Sequence, residues 1–179
     1  MGARPETRRP LADDERDLLH RLVRECGPRL LGYVRRTFGT RIDAEDIVAE
    51  SFCRAAANIE TLRRCERHDL YLLTIARNLC RDHYRRRSTF DSEERLRDQP
   101  ARVAEPEEAA SHRERRQALL KAVSDLPEAQ REVVTLRLSG TLKFEEIATL
   151  LGVPLGTVLS RMHSAVQRLK QNLDGEHGR

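Results

Sequence analysis

The feature that most limits the fold of this chain is the helical spacing of its apolar residues. Leucine and valine recur at this spacing from Leu18 to Val34 and again from Leu119 to Leu138, as on one face of an α-helix. Only seven of the 179 side chains are aromatic and Trp is absent, so Leu, Val, Ile and Ala must form the core. The pattern predicts an all-α fold and argues against a β-sandwich.

A polar stretch divides the chain into two periodic segments. Residues 88–112 mix Ser, Asp, Glu, Pro and Ala with almost no large apolar side chains, and such a composition cannot bury enough surface to fold. We therefore predict two small helical domains joined by a flexible acidic linker. The predicted boundaries are a disordered tail over 1–12, a first domain over 13–87, the linker over 88–115, a second domain over 116–174 and a tail over 175–179.

The distribution of charge favours a nucleic-acid partner. The net charge of +4 divides into +5 over residues 1–90, −3 over 91–115 and +2 over 116–179. Of the 33 basic residues 30 are Arg, whose planar guanidinium suits phosphates and guanine edges. An Arg-rich composition also arises from a GC-rich genome, so charge alone does not decide the function.

The sequence shows neither a membrane span nor a secretion signal. The longest apolar stretches, such as Leu70–Leu73, fall far short of the ~18 residues that a transmembrane helix needs, and the N-terminus carries no apolar segment. We expect a soluble, cytoplasmic chain without membrane insertion.

The cysteines leave a metal site open as an alternative. Cys65 with His68 and Cys80 with His83 each form a Cys-x-x-His pair, and four such ligands would suit zinc. However, Cys80 follows an apolar helical run and His83 lies among arginines, which favours a core thiol and a surface imidazole. The prediction is no metal and no cofactor, with a zinc-responsive or redox-responsive protein as the alternative.

The first predicted domain begins with a long helical pattern and an acidic helix. Gly27-Pro28 interrupts the first apolar pattern, so residues 13–38 form either a helical pair or one kinked helix. Asp43 is placed to cap a helix over 43–58, in which Asp and Glu side chains leave an acidic face.

A basic helix follows in the same domain. We predict a polar, Arg-rich loop over Thr61–His68 and then a helix over 70–87 that Asp69 caps. Arginines recur every four residues along this helix and are predicted to face outward as a basic stripe: Arg77, Arg81 and Arg85.

Residues 144–158 show the pattern of a helix-turn-helix. Apolar side chains form the inward face of the first helix, and Gly152 suits a left-handed turn. The second helix is predicted from about Pro154. Its outer face presents short and basic side chains suited to a major groove: Thr157, Ser160, Arg161 and Ser164.

These motifs resemble the extracytoplasmic-function, or group four, sigma factors of the sigma-70 family. The segments Asp43–Phe52 and Ile75–Arg87 are similar to domain two of that family. Segments of the second half are similar to its domain four: Leu126–Glu128, Arg131–Val133 and Gly152–His163.

The resemblance implies a dissociable subunit of bacterial RNA polymerase that directs the core enzyme to promoters and opens them. It assigns to the β′ clamp helices Asp43, Glu45, Asp46, Ile47 and Glu50. It assigns to the minus-ten element Arg63, Arg64, Arg67, Arg77, Asn78, Arg81, Tyr84 and Arg85. It assigns to the minus-thirty-five element Thr157, Leu159, Ser160, Arg161, His163 and Ser164. The implied partners are the polymerase core, including its β flap, promoter DNA and an anti-sigma factor.

Four positions depart from the usual residues of this family. Tyr71 stands where the family usually has Trp, and Leu62 where it usually has an aromatic residue, so packing around the loop that captures a flipped minus-ten base is expected to differ. In the recognition helix Leu159 replaces a usual Lys and Ser164 a usual Arg. These changes remove two phosphate or base contacts at the minus-thirty-five element.

The rival interpretation is a two-domain helix-turn-helix regulator with a sensory N-terminal module. Such a module normally alternates strands with helices around an acidic phosphorylation pocket, and residues 1–90 show neither pattern. Enzymatic activity has no support in the sequence, since the chain lacks a Gly-rich phosphate loop and a triad context for its Ser, His and Asp residues.

Overall fold

The structure, a computed structural model, describes residues 9–39, 42–88, 110–138 and 142–176. Within these ranges the chain forms eight α-helices and no strand, so the predicted all-α class is confirmed. No helix in the described ranges is long and apolar enough to cross a membrane. The helices are α1 (Asp13–Phe38), α2 (Ala44–Ala57), α3 (Ile59–Arg64), α4 (His68–Ser88), α5 (Ala110–Ser124), α6 (Glu128–Leu138), α7 (Phe144–Leu151) and α8 (Leu155–Glu176).

The helices form two groups, α1 to α4 and α5 to α8. The first group packs around α1. This helix runs unbroken through Pro28, so residues 13–38 form one helix and not a pair. Buried side chains recur at every fourth position along it: Leu22, Cys26, Leu30 and Val34. Since residues four apart lie on one helix face, this row faces α2 and α4, which both contact α1.

The start of α2 follows the prediction. The Asp43 carboxylate accepts hydrogen bonds from the backbone N–H groups of Glu45 at 3.0 Å and Asp46 at 3.1 Å. These N–H groups have no partner within the helix, so the cap satisfies them and favours a helix that begins at Ala44.

The predicted loop over Thr61–His68 is wrong in its first half. Ile59–Arg64 forms the short helix α3, and the non-helical connection contains only Cys65, Glu66 and Arg67. The reason is burial: Ile59 and Leu62 are 7% and 0% exposed, and their spacing of three residues places both on the face that meets the core.

Asp69 does not cap α4 as predicted. The helix begins one residue earlier, at His68, and the Asp69 carboxylate accepts two hydrogen bonds from the Arg67 guanidinium, both at 3.0 Å. Asp69 therefore lies inside the first turn of α4 and not at its N-cap, and its carboxylate forms a charge-assisted bidentate pair with Arg67.

The predicted helix-turn-helix is confirmed in α7 and α8. Gly152 ends α7 with φ of +67°, a left-handed conformation that strains other residues, and its N–H donates to the carbonyl oxygens of Ala148 and Thr149. The N–H of Val153 donates to the Ala148 carbonyl at 3.1 Å and completes the turn. The buried or partly buried face of α8 contains Val158, Met162, Ala165 and Leu169.

Helix α6 connects the two groups of helices. It packs against α7 and α8 and also against α1. Its residues Val133 and Leu136 are fully buried in the same apolar cluster as Leu30 and Leu72. The two-domain boundaries stay a prediction, because parts of the predicted tails and linker lie outside the described residues: 1–8, 89–109 and 177–179.

Glu15 is a buried acid near the start of α1. Its side chain is 0% exposed and accepts two hydrogen bonds from Arg9, at 2.6 and 3.1 Å, and one from the N–H of Ala12 at 2.8 Å. The bonds from Arg9 and then Ala12 lower the pKa of Glu15 below its ordinary value. Residues 9–12 are therefore tied to α1, unlike the disordered tail predicted over 1–12.

We expect Glu15→Gln to lower the free energy of unfolding at neutral pH. The free energy of unfolding of this variant should also fall less steeply as the pH is lowered. Because the folded-state pKa is lowered, the ionised Glu15 contributes stability above its unfolded-state pKa of ~4.3, and this contribution is lost as pH falls through the folded value. Urea unfolding from neutral pH to about pH 3 measures the difference. Glu60→Gln is the control, since Glu60 is exposed and only weakly contacts Arg9, at 3.4 Å. Equal acid dependence in wild type and Glu15→Gln would contradict this account.

Candidate nucleic-acid and polymerase interfaces

The exposed face of α2 is acidic, as predicted. Glu45 forms an ion pair with Arg35 of α1, and Glu50 pairs with Arg54 at 2.8 Å. These arginines neutralise part of the surface, while Asp46 is exposed in the first turn of the helix. We call the exposed acids the acidic face of α2: Asp43, Glu45, Asp46 and Glu50.

Ile47 lies beneath the acidic face and not on it. Its side chain is 2% exposed and belongs to the apolar core. One turn later the hydroxyl of Ser51 donates to the Ile47 carbonyl at 2.6 Å, inside the protein. Ile47 therefore acts by packing α2 against the core, which differs from the direct partner contact that the sequence predicted.

The exposed face of α4 differs from the predicted stripe. Asn78, Arg81 and Arg85 are exposed and lie three and four positions apart, so they share one side of the helix. Arg77 is only 9% exposed and its guanidinium points toward α6, so it does not face outward as predicted. Arg85 also contacts Asp82 at 3.2 Å. We call Asn78, Arg81 and Arg85 the basic face of α4.

Other predicted promoter-binding arginines are held in ion pairs within the chain. Arg63 of α3 lies 3.3 Å from a carboxylate oxygen of Asp14 in α1. Arg67 binds Asp69 and also Glu146 of α7, so it joins the two groups of helices. The charge of both arginines is therefore partly neutralised, in each case by an acid from a distant part of the sequence, Asp14 or Glu146.

Arg64 and Tyr84 complete the predicted minus-ten set. Arg64 is exposed at the end of α3. Tyr84 is partly buried, and its ring lies 5.7 Å from that of Phe38, measured between centroids. Arg64 is thus available at the surface, whereas the Tyr84 ring contributes to packing between α1 and α4.

Glu132 of α6 is an acceptor shared by two helices of the first group. Its Oε1 accepts hydrogen bonds from Arg77 Nε at 2.8 Å and from Tyr33 Oη at 3.0 Å. The side chains of Arg77 and Glu132 are only 10% and 13% exposed. Burial and then the nearby Glu132 charge raise the pKa of Tyr33 well above its ordinary value, so its hydroxyl remains a donor at neutral pH.

The start of α8 carries the residues predicted for the minus-thirty-five element. The Ser160 hydroxyl donates to the Thr157 carbonyl at 3.1 Å, and the His163 ring contacts Gln167 at 3.0 Å. Arg161 is partly buried beside the core-facing residues, so it is less exposed than predicted. Of the predicted residues, Leu159, Ser160 and His163 are exposed. The others, Thr157, Arg161 and Ser164, are partly exposed.

Comparison with known proteins agrees with both groups of helices. The model of sigma-70 region 2 matches residues 22–90, and the model of sigma-70 region 4 matches residues 116–169. The ECF RNA polymerase sigma factor EcfG of Rhodopseudomonas palustris is 33% identical and aligns over 89% of this chain and 85% of its own. SigW, an ECF sigma factor of Bacillus subtilis, is 31% identical over 77% and 79% of the two chains.

The chain belongs to the ECF sigma factor family. It is an alternative sigma factor that directs transcription initiation by RNA polymerase, and the match to region 2 excludes a sensory N-terminal module. Its fold is that of the sigma factor RpoE from Bartonella quintana, solved with the anti-sigma factor NepR, with a TM-score of 0.72, 23% identity and coverage of 89% of this chain and 98% of that one. CnrH, solved with the cytosolic domain of CnrY, has a TM-score of 0.62 at 22% identity, with coverage of 89% and 90%.

The buried cysteines of this sigma factor are held as neutral thiols. Burial raises the pKa of Cys80 to about 12, and burial also raises the pKa of Cys26. In the part of the chain that the structure describes, no cluster of three or more His, Cys, Asp or Glu side chains could hold a metal ion. The two Cys-x-x-His pairs therefore do not meet as the four ligands of a zinc site.

Sequence reasoning missed the acids that hold the arginines of this sigma factor. Glu132 precedes the buried pair Val133-Val134, and Arg77 follows the buried Ala76. A charge at the edge of an apolar helix face needs a partner, because an unpaired buried charge is costly. That position is the signal that could have identified Arg77 and Glu132 as candidates for an ion pair.

We expect Glu132→Ala to lower the free energy of unfolding of the sigma factor by about 3 kcal/mol, because the buried Arg77 charge and the Tyr33 hydroxyl lose their acceptor. Urea unfolding of Glu132→Ala, Arg77→Ala and the double variant should give a coupling energy of about 1–3 kcal/mol. Glu128→Ala, an exposed change on the same helix, should cost less than about 1 kcal/mol. Additive costs for Glu132→Ala and Arg77→Ala would show that the two side chains do not interact in solution.

Proposed function

We propose that this sigma factor binds the RNA polymerase core through the acidic face of α2, which would contact the β′ clamp helices. One observation carries the proposal: a single chain combines this acidic face, the basic face of α4 and the exposed start of a helix-turn-helix. An initiation factor needs all three surfaces, since it must hold the enzyme and two separate promoter elements.

The minus-ten element would bind along the basic face of α4. Arg81 and Arg85 supply exposed positive charge for the phosphates, and Asn78, one turn before Arg81 on the same face, supplies an amide for a base edge. Arg64 at the end of α3 extends the positive surface. Opening a base pair costs a few kcal/mol, and contacts of this kind to the single strand offset that cost.

The minus-thirty-five element would bind the start of α8. The helix-turn-helix presents Ser160, His163 and the partly exposed Arg161 toward a major groove. The same group of helices, α5 to α8, is the part that we assign to the β flap of the polymerase. We assign no catalytic step to the chain, which would act in the cytoplasm through binding to the polymerase and DNA.

An anti-sigma factor is the regulatory partner that we propose. Two solved structures that share this fold are complexes of sigma factors with such partners, NepR and the cytosolic domain of CnrY. At 23% and 22% identity these structures share the fold of this chain.

Reversing the charge of the acidic face should strongly weaken binding to the core enzyme. In Asp46→Lys/Glu50→Lys two cations lie four positions apart on α2, and like charges against a basic partner should reduce affinity about a hundredfold, the equivalent of about 3 kcal/mol. Co-purification with core polymerase and a fluorescence titration of the complex measure this loss.

The control for this experiment is Asp13→Lys/Asp17→Lys, which makes the same charge change at exposed positions on α1. It should bind the core enzyme as the wild type does. Undiminished binding by the α2 variant would rule out the acidic face as the polymerase contact.

Removing charge from the basic face of α4 should prevent promoter opening while core binding persists. Arg81→Ala/Arg85→Ala loses two exposed cations, so permanganate reactivity of minus-ten thymines should fall at least about tenfold and the salt dependence of DNA binding should become shallower by about 1.4. Both are measured with reconstituted holoenzyme on a promoter that the wild-type protein opens.

Arg21→Ala/Arg24→Ala, an equal change at exposed positions on α1, should leave melting intact. If the α4 variant also melts the promoter normally, the basic face is only a solvated surface.

A further inference from the structure

Two leucines are exposed at the start of α8. Leu155 and Leu159 expose 37% and 46% of their surface, and their spacing of four residues places them side by side on the helix. Single exposed leucines are common on protein surfaces and need no explanation. This pair lies in the first two turns of the second helix of a helix-turn-helix, which is the part that meets base edges in a major groove.

The surroundings of the two leucines allow another surface to approach closely. Gly156 lies between them in sequence, and a Cβ added to it would meet no atom within 4 Å. No side chain from Leu155 to Ser160 is charged. This segment therefore cannot pair with phosphates through side-chain charge, and what it offers to DNA is apolar contact and hydroxyl groups.

We propose that Leu155 and Leu159 read the 5-methyl groups of thymines in the upstream promoter element. The thymine methyl is the apolar group that base pairs present in the major groove, and apolar side chains are its ordinary partners. The inference rests on the proposed function, in which α8 binds that element, and it adds the chemical basis of its specificity. Exposed leucines lose contact with water when they cover a methyl, and this loss is favourable.

Deoxyuridine tests the inference because it differs from thymidine only by the missing methyl. Holoenzyme assembled from the full chain and core polymerase first selects duplexes from a library that is randomised over the upstream element. Each thymine of the selected element is then replaced by deoxyuridine, which keeps every hydrogen-bonding group. Wild-type affinity should fall about fourfold for each methyl that is contacted.

The variants identify the side chain that reads each methyl. At the position that Leu159 reads, Leu159→Ala should bind the thymidine and deoxyuridine duplexes with equal affinity. Leu155→Ala should lose the preference for thymidine in the same way at a different position. Val166→Ala is the matched control, because Val166 is also 37% exposed on α8 but lies two turns beyond Leu159. It should keep the wild-type preference, and circular dichroism verifies that all three variants remain folded.

Three results would overturn the inference: a selected element without thymine, equal wild-type binding to both duplexes, or discrimination that survives in both leucine variants. Each would indicate that the leucines face a protein partner or solvent. If the wild type still selects a defined upstream sequence and initiates transcription there, the proposed function stands without this inference. If no holoenzyme forms or no sequence is selected, the proposed function fails as well.

Discussion

The arrangement of the helices depends on one partly buried carboxylate. Glu132 of α6 accepts hydrogen bonds from Arg77 of α4 and Tyr33 of α1, so three helices from the two groups meet at a single side chain. A charge in such a position is stable only when it is paired and hydrogen-bonded, because its desolvation is costly. The pairing therefore fixes how α6 sits on α1 and α4, beyond what the apolar contacts of Val133 and Leu136 specify.

Ion pairs within the chain also divide arginines that look alike in the sequence into two classes. Arg63, Arg67 and Arg77 bind acids on other helices, whereas Arg64 and Arg81 are exposed, and Arg85 is exposed beside Asp82 of its own helix. Contact with DNA by an arginine of the first class would compete with its ion pair to another helix. A promoter contact by Arg77 would require its separation from Glu132, so such a contact is coupled to the packing of α6 against the first group of helices.

Features set by neighbouring residues could be predicted from the sequence, and features set by distant partners could not. The Asp43 cap and the left-handed Gly152 depend on local geometry, and both occur where the pattern placed them. Arg77 failed as an outward residue because its acceptor is 55 positions away in sequence, and the pairing of Arg67 with Glu146 was missed because these residues are 79 positions apart. Periodicity describes the face of a single helix and contains no information on which charge the fold brings to that face.

In the proposed function α8 contacts the upstream promoter element, and its composition limits what that contact can contribute. Each neutralised phosphate steepens the salt dependence of binding by about 0.9, and the helix offers a single cation, Arg161, between Leu155 and Ser164. Electrostatic affinity for the promoter would then come from other basic surfaces, the basic face of α4 among them. A recognition helix with little charge binds nonspecific DNA weakly, since nonspecific binding is almost wholly electrostatic. On the proposal made for Leu155 and Leu159, the apolar start of α8 would give up electrostatic affinity for discrimination between bases, which suits a factor that works as part of a larger enzyme.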